Sequence, residues 1–315
     1  MVNFRFHLVS LTAVFLALAA GITIGAGVVD RATVDQIQRQ LSDVAQRREE
    51  TNAENDQLRE ELGRWTRFSE EAGDQLVAGQ LTDVPVVVLA SNGIDRALVD
   101  AVEGSLGAAG AQLDGTLWLT TRWVLDDDEE RRALAGALDV APTTEADDLR
   151  SAGIAGLTTA WAVGDGGPLV PGLLDAGFLE YETSSQVPVP LVELPRPDTL
   201  FVVISGDPAE VAPADLTVPL ASRLALSQVQ LVAVQPQRPP VPEPAEGADE
   251  EEPATFVAQL RDDAVVASRI STVDNVDDYR GRVALVLALR DLRIGTTGHY
   301  GVGPDARLVA EPPTA

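Results

Sequence analysis

The sequence predicts an α/β protein in which an N-terminal transmembrane helix and a coiled-coil helix precede a mostly parallel, Rossmann-like α/β domain. Three observations predict it: an uncharged N-terminal run, a heptad pattern directly after it, and short β-branched runs that alternate with helical spacing. The predicted segments, in chain order, are a short tail at 1–7, a transmembrane helix at 8–29, a coiled-coil stalk at 30–68, the α/β domain at 82–305 and a disordered tail at 306–315.

The N-terminal run, residues 8–29, contains no charged side chain. As a helix it would measure roughly 33 Å, and the hydrocarbon core of a bilayer is about 30 Å thick. This length favours an uncleaved, single-pass anchor. A signal peptide cleaved near Ala19 is the alternative, although the apolar run continues to Val29. Arginines on both sides of the run leave its orientation open.

Gly21 and Gly25 form a G-x-x-x-G pattern within this run. Small residues at that spacing let two helices approach closely in lipid. We interpret the pair as a candidate helix–helix packing face. The alternative is that glycine is simply common in such helices.

The stalk shows a 3-4 alternation that is typical of the seam of a left-handed coiled coil. Its apolar and amide positions are Val34, Ile37, Leu41, Val44, Asn55, Leu58 and Leu62, with Arg48 and Thr51 in the middle and Trp65 at the end. Asparagine at a seam position commonly specifies a parallel dimer. We therefore predict a homodimer formed through the stalk and the transmembrane helix. A single amphipathic helix packed on the following domain is the alternative.

Gly73 and Gly79 are expected to end the stalk region, and the pattern beyond them is that of an α/β domain. The predicted strands are Pro85–Ala90, Leu113–Leu119, Leu200–Ile204 and Leu231–Val234, with helices at 94–109 and 214–226. Ser271–Val273 and Val283–Leu289 are expected to return to the core. A loop rich in proline and glutamate, residues 236–254, interrupts this pattern and cannot pack a core.

The composition excludes several classes of function. The chain has 49 acidic and 23 basic residues and a formal charge of −26, which argues against nucleic-acid binding. It contains no cysteine and no lysine, so disulfides, thiolate metal sites and P-loop or Schiff-base lysines are excluded.

No motif for catalysis or nucleotide binding stands out. The turn Ser91-Asn92-Gly93 follows the first strand but lacks the G-x-G-x-x-G pattern, and the glycine-rich segment 164–167 is expected to form a loop. His299, next to glycines, is expected to be structural, and Asp274, Asp277 and Asp278 are expected to cap and solvate a turn. We predict a protein that is not an enzyme and has no cofactor or metal site of its own.

The two ends of the chain resemble a known family. The N-terminal run from His7 to Ala19, with the glycines up to Gly27, is similar to the start of the actinobacterial MctB-like copper-transport family. The C-terminal segments of the same resemblance are Ser271, Thr272, Val273, Asp274, Asn275, Val276 and Asp277, then Gly281–Leu289, and then Gly298, His299, Tyr300 and Gly301. The order of membrane helix, coiled coil and α/β domain also matches.

The resemblance implies a location in the cell envelope, with the domain outside the cytoplasm, and a role in copper tolerance and low intracellular copper. Which of the two membranes is involved stays open. Copper itself is implied only by this resemblance, because Met1, His7 and His299 cannot form a high-affinity copper site within one subunit. We therefore expect an envelope protein that supports copper homeostasis or efflux by assembly or by weak contact with cations. The alternative is a dimeric envelope scaffold, unrelated to copper, that binds other envelope proteins.

Overall fold

The computed structural model describes residues 4–141, 145–164, 167–183, 194–196, 198–238, 254–303 and 306–307, and for residues 4 and 26–35 it describes the backbone alone. The chain divides into two compact units, Met1–Arg67 and Phe68–Ala315. Each unit is described by itself below. Most of the predicted loop at 236–254, from 239 to 253, and the end of the tail at 308–315 lie outside the described residues.

The second unit contains both helices and strands, as the sequence predicts. The helices are α1 (Phe4–Val77), α2 (Arg96–Ala108), α3 (Asp128–Ala137), α4 (Ala146–Val163), α5 (Leu169–Asp175), α6 (Thr217–Leu226), α7 (Phe256–Asp262), α8 (Ala264–Ala267) and α9 (Tyr279–Leu292). The strands are β1 (Pro85–Ser91), β2 (Gln112–Leu119), β3 (Leu179–Glu182), β4 (Leu200–Ile204), β5 (Leu231–Val234), β6 (Ser271–Val273) and β7 (His299–Tyr300).

The strands form one sheet in the order β3-β2-β1-β4-β5-β6-β7. Every neighbouring pair is parallel except β2 and β3, which are antiparallel. The predicted α/β class and mostly parallel sheet are therefore confirmed. The strand order reverses between β1 and β4, where the chain leaves one half of the sheet and starts the other.

The core lies on both faces of the sheet, because successive strand side chains point to opposite sides. Val87 and Leu89 of β1 belong to a buried cluster that includes side chains of α4 and α6. Val86 and Val88 belong to a second cluster, which includes side chains of α2 and α9. The continuous apolar runs of β1, β4 and β5 follow from burial on both faces.

Of the two glycines expected to end the stalk region, Gly79 lies just beyond the end of α1 and Gly73 does not end this helix. This glycine lies within α1, which ends at Val77. A Cβ atom at Gly73 would lie 2.9 Å from both the Tyr279 hydroxyl oxygen and Val283 Cγ2, so the missing side chain makes room for α9. The Tyr279 hydroxyl donates a hydrogen bond to Asp74 Oδ1 at 2.7 Å. Burial and this acceptor raise the pKa of Tyr279.

Candidate functional site

Ligands of parallel sheets commonly bind beyond the carboxyl ends of the strands, where the strand order reverses. Here that point lies at the ends of β1 and β4. Ser91 and Thr217 both donate hydrogen bonds to the buried Ser205 hydroxyl, at 3.2 and 2.8 Å. The hydroxyl groups at this edge therefore bind one another.

The chain itself covers the turn after β1. The Glu210 amide donates to the Asn92 carbonyl at 2.8 Å, and the Asn92 side chain donates to the Glu210 carboxylate at 3.2 Å. Gly93 has a φ of +93°, and a Cβ atom there would lie 2.8 Å from the Glu210 amide nitrogen. Gly93 thus allows the segment after β4 to approach the turn after β1 closely. In a nucleotide-binding protein a phosphate would lie at this turn.

A second part of the carboxyl edge, at β5 to β7, holds a cavity of about 620 Å³. These three strands are parallel, so their carboxyl ends share one edge. The polar and charged side chains that line the cavity include Gln235, Arg238, Arg261, Asp262, Asp274 and His299. This cavity is the candidate functional site.

Two of the three C-terminal segments of the family resemblance, the one that begins at Ser271 and the one that begins at Gly298, meet at this site. Thr272 of β6 is the register partner of His299 of β7, and Val273 is the partner of Tyr300. The Thr272 amide donates to the Gly298 carbonyl at 3.0 Å, and the Gly298 amide donates to the Ser271 hydroxyl at 3.2 Å. The two segments, distant in sequence, are therefore one strand pair.

Arg261 binds both strands of this pair. Its Nε donates to the Thr272 hydroxyl at 2.9 Å, its Nη1 donates to Asp274 Oδ2 at 2.9 Å, and its Nη2 donates to the Tyr300 carbonyl at 3.1 Å. Asp274 also accepts hydrogen bonds from the amides of Val302 at 2.7 Å and Gly303 at 3.2 Å. The expectation that Asp274 solvates a turn was wrong, because its side chain is only 8% exposed and its charge is paired.

The neighbouring motif residues hold the turn between β6 and α9. Asp277 accepts from the Gln237 amide at 2.7 Å, and Asp278 caps α9 by accepting from the Arg280 amide at 2.8 Å. The hydrogen bond from the Arg280 side chain lowers the pKa of Asp278. The Asn275 side-chain oxygen is buried and has no partner within the described residues.

His299 lies at the cavity, half-buried, with its Nδ1 2.9 Å from the Thr272 hydroxyl oxygen. Burial, followed by the positive charge of Arg261, lowers the pKa of His299. The imidazole is therefore neutral near pH 7.

Arg261 and Gln235 were not singled out by sequence reasoning. Gln235 directly follows β5, just as Asp274 follows β6, so its place at a strand end was an available signal. Arg261 carries no such signal, because it lies on a short helix ten residues before β6 and reaches the site only through packing.

This chain has few side chains that could bind copper tightly. Cysteine is absent, Met1 is the sole methionine, and His7 and His299 are the sole histidines. Across the ranges that the structure describes, no three His, Cys, Asp or Glu side chains cluster as a metal site. The residues present therefore do not fit a resident copper centre, which uses thiolate or thioether donors or several imidazoles.

The first unit has its own candidate features. Residues 5–25 of α1 have a mean hydropathy of 2.2 and are long and apolar enough to cross a membrane. Thr12 and Thr23 donate to the carbonyls of Leu8 and Ala19, as their place in an apolar helix predicts. A Cβ atom at Gly21 or Gly25 would meet nothing within 4 Å.

The predicted seam residues are exposed on α1. The side chains of Ile37, Leu41, Val44, Leu58 and Leu62 are between 49% and 66% exposed. The Asn55 side chain donates to the Thr51 carbonyl at 2.9 Å. The side chain of Val34 lies outside the part of the chain that the structure describes.

Comparisons with known proteins agree with the resemblance. A family model described as "Copper transport outer membrane protein, MctB" matches residues 1–310. The chain is 27% identical over 326 residues to a Mycobacterium tuberculosis protein named copper transporter MctB, covering 98% of this chain and 99% of that one. It is also 27% identical over 335 residues to a protein of the same name from Mycobacterium leprae, covering 99% and 100%.

Proposed function

Because this chain belongs to the MctB family of copper transport outer membrane proteins, we propose that it supports copper homeostasis or copper efflux as a membrane-anchored protein of the cell envelope. The observation that carries this proposal is the family match, which extends over residues 1–310. The mycobacterial relatives, which align over nearly their whole length, bear the same printed name.

The proposed role is not enzymatic and uses no resident cofactor. Copper is the cargo in this proposal, and the scarcity of soft donors argues for assembly with other envelope components or for weak contact between cations and the acidic surface. The chain charge of −26 supports such weak contact.

Residues 8–29 form the proposed anchor, with the α/β domain outside the cytoplasm. The apolar composition of this helix supports the proposal, because the side chains described at 5–25 are exposed. Such a surface is stable in lipid and costly in water.

The α/β domain is proposed to be Rossmann-like. Its strand order extends the 3-2-1-4-5-6 order of that fold by β7. Dinucleotide binding is not part of this proposal, because the segment after β4 lies against the turn where a dinucleotide would bind.

A parallel homodimer through α1 is part of the proposal. The exposed seam of α1 supports it, because side chains such as Leu58 and Leu62 would be buried against a second copy. The open face at Gly21 and Gly25 supports close approach of two helices in the membrane.

We expect the double substitution Leu58→Glu and Leu62→Glu to abolish self-association, because it places like charges in the seam. The measurement is cross-linking of the full-length protein in membranes, followed by sedimentation in detergent. Glu54→Gln, at an exposed position outside the seam, is the matched control and should leave the dimer intact. A monomeric wild-type protein would refute the dimer.

A copper-independent scaffold is the second candidate function. The exposed seam favours it, together with the absence of a metal-ligand cluster among the residues that the structure describes. Cross-linking in intact membranes distinguishes this candidate, because a scaffold must yield reproducible envelope partners.

The copper role is tested by deleting the gene in its own organism. We expect the deletion strain to grow more poorly than wild type at raised copper, because copper removal would be impaired. The full-length chain should restore growth. Equal growth of the three strains at every copper concentration would refute the role.

A further inference from the structure

The cavity at β5 to β7 is lined by His299, which contacts the Thr272 hydroxyl, and the proton of this hydroxyl can be placed from its hydrogen bonds. The Thr272 hydroxyl is fully buried and accepts a hydrogen bond from Arg261 Nε. Among the described residues, its remaining hydrogen-bond partner is His299 Nδ1, at 2.9 Å. Because buried donors are almost always satisfied, the Thr272 hydroxyl must donate to Nδ1.

This arrangement fixes the tautomer of His299. Nδ1 acts as the acceptor, so a neutral ring carries its proton on Nε2. The charge of Arg261, which lowers the pKa of His299, opposes a second proton on the ring. Nε2 forms no hydrogen bond within the described residues, and His299 lines the cavity. The ring therefore offers an N–H donor to the cavity.

Gln235 offers a second donor from the neighbouring part of the edge. Its Oε1 accepts from the Val257 amide at 2.8 Å, which orients the side chain. Its Nε2 has no acceptor among the residues that the structure describes, although Gln235 is only 5% exposed and lines the cavity. Because Gln235 lines the cavity, a ligand or water there can accept a hydrogen bond from this amide group.

Arg261 contributes further donors. Three of its five N–H groups bind Thr272, Asp274 and the Tyr300 carbonyl, which leaves one N–H on each Nη. These donors and those of Gln235 and His299 lie on or against three adjacent parallel strands. Adjacent strands are about 4.8 Å apart, so the backbones of β5 and β7 are about 10 Å apart at this edge, and the side chains reach into the space between them.

The charges of the site decide which acceptor fits. Arg261 is paired with Asp274, and Arg238 is paired with Asp207. Asp262 adds a negative charge to the lining. The three carboxylates outnumber the two guanidinium groups, so this site opposes a phosphate dianion more strongly than a single carboxylate, which the N–H donors can bind.

We propose that this cavity binds a small organic carboxylate through N–H groups of His299, Gln235 and Arg261. The volume of about 620 Å³ lies within the range of small-molecule sites. Arg261 and Asp274 position the ring through Thr272, and the ligand completes the hydrogen bonding of the Gln235 amide.

The test uses full-length protein in detergent, labelled with ring-¹⁵N histidine and carrying His7→Gln, so that His299 gives the sole imidazole signal. The spectrum should show a neutral ring with its proton on Nε2. Propanoate, a monocarboxylate probe, should shift the Nε2 signal in a saturable manner, and inorganic phosphate at equal ionic strength should not.

Two variants sharpen the result. Gln235→Ala should weaken propanoate binding about tenfold, which corresponds to the loss of one hydrogen bond, whereas Gln57→Ala on α1 should bind propanoate as wild type does. In Thr272→Val the neutral ring should carry its proton on either nitrogen, because Nδ1 has lost its donor. This variant therefore tests the hydrogen bond between Thr272 and His299 even if Gln235→Ala fails to fold. A ring protonated on Nδ1, no response to propanoate, or an equal response to phosphate would overturn the proposal.

Discussion

Replacing Gly281 by valine is expected to lower the stability of the α/β domain by roughly 3 kcal/mol or more. Gly281 lies in the first turn of α9, against the loop from β6. A Cβ atom there would lie 2.6 Å from the Asn275 carbonyl carbon and 2.8 Å from its side-chain oxygen. The Asn275 carbonyl also accepts the Asp278 amide at 3.0 Å, so this backbone cannot move freely.

The measurement is thermal unfolding of full-length protein in detergent, followed by the fluorescence of the buried Trp118, Trp123 and Trp161. We expect a Tm lower by about 10 °C, at about 2–4 °C per kcal/mol for a domain of this size. Gly104→Ala is the control, because its Cβ would meet nothing within 4 Å and alanine favours the helix. If Gly281→Val melts as wild type does, the tight contact is not real.

Removing the carboxylate of Asp274 is expected to cost roughly 3–5 kcal/mol. The side chains of Asp274 and Arg261 are 8% and 14% exposed, so Asp274→Ala leaves a nearly buried guanidinium without its counter-charge. It also removes the acceptor of the Val302 and Gly303 amides. Unfolding by urea, with the same fluorescence signal, measures the loss.

Two controls test whether the loss of stability comes from a buried, unpaired charge. Asp56→Ala breaks an ion pair with Arg59 whose side chains are 72% and 76% exposed, and it should cost about 0.5 kcal/mol or less. Adding Arg261→Leu to Asp274→Ala should recover part of the lost stability, because no charge is then left unpaired. Equal, small effects of Asp274→Ala and Asp56→Ala would contradict the described network.

The strands with continuous β-branched runs were predictable from sequence. Leu200–Ile204 and Leu231–Val234 begin and end where the pattern places them. Burial on both faces demands such runs, so the signal is local. The two-residue strand β7 has too few residues to show a pattern, and β3, with one antiparallel neighbour at the sheet edge, alternates buried and exposed residues too briefly.

The candidate site was predictable only in part. The segments containing Asp274 and His299 were singled out through the family resemblance, and the structure brings them together in one strand pair. The role of each side chain could not be derived, because it depends on Arg261, whose position is set by the packing of Val257 and Leu260 in the core. Charge pairing across elements has no sequence period and therefore leaves no local pattern.

The copper content of cells measures the central proposal most directly. Wild-type, deletion and complemented strains would be grown at the same raised copper concentration, washed, and analysed by mass spectrometry. We expect the deletion strain to hold more copper than wild type. The full-length chain should restore the wild-type copper content, and the variant with Leu16→Arg and Ile22→Arg in the anchor should not. Equal copper content in wild-type and deletion cells would contradict the proposed function.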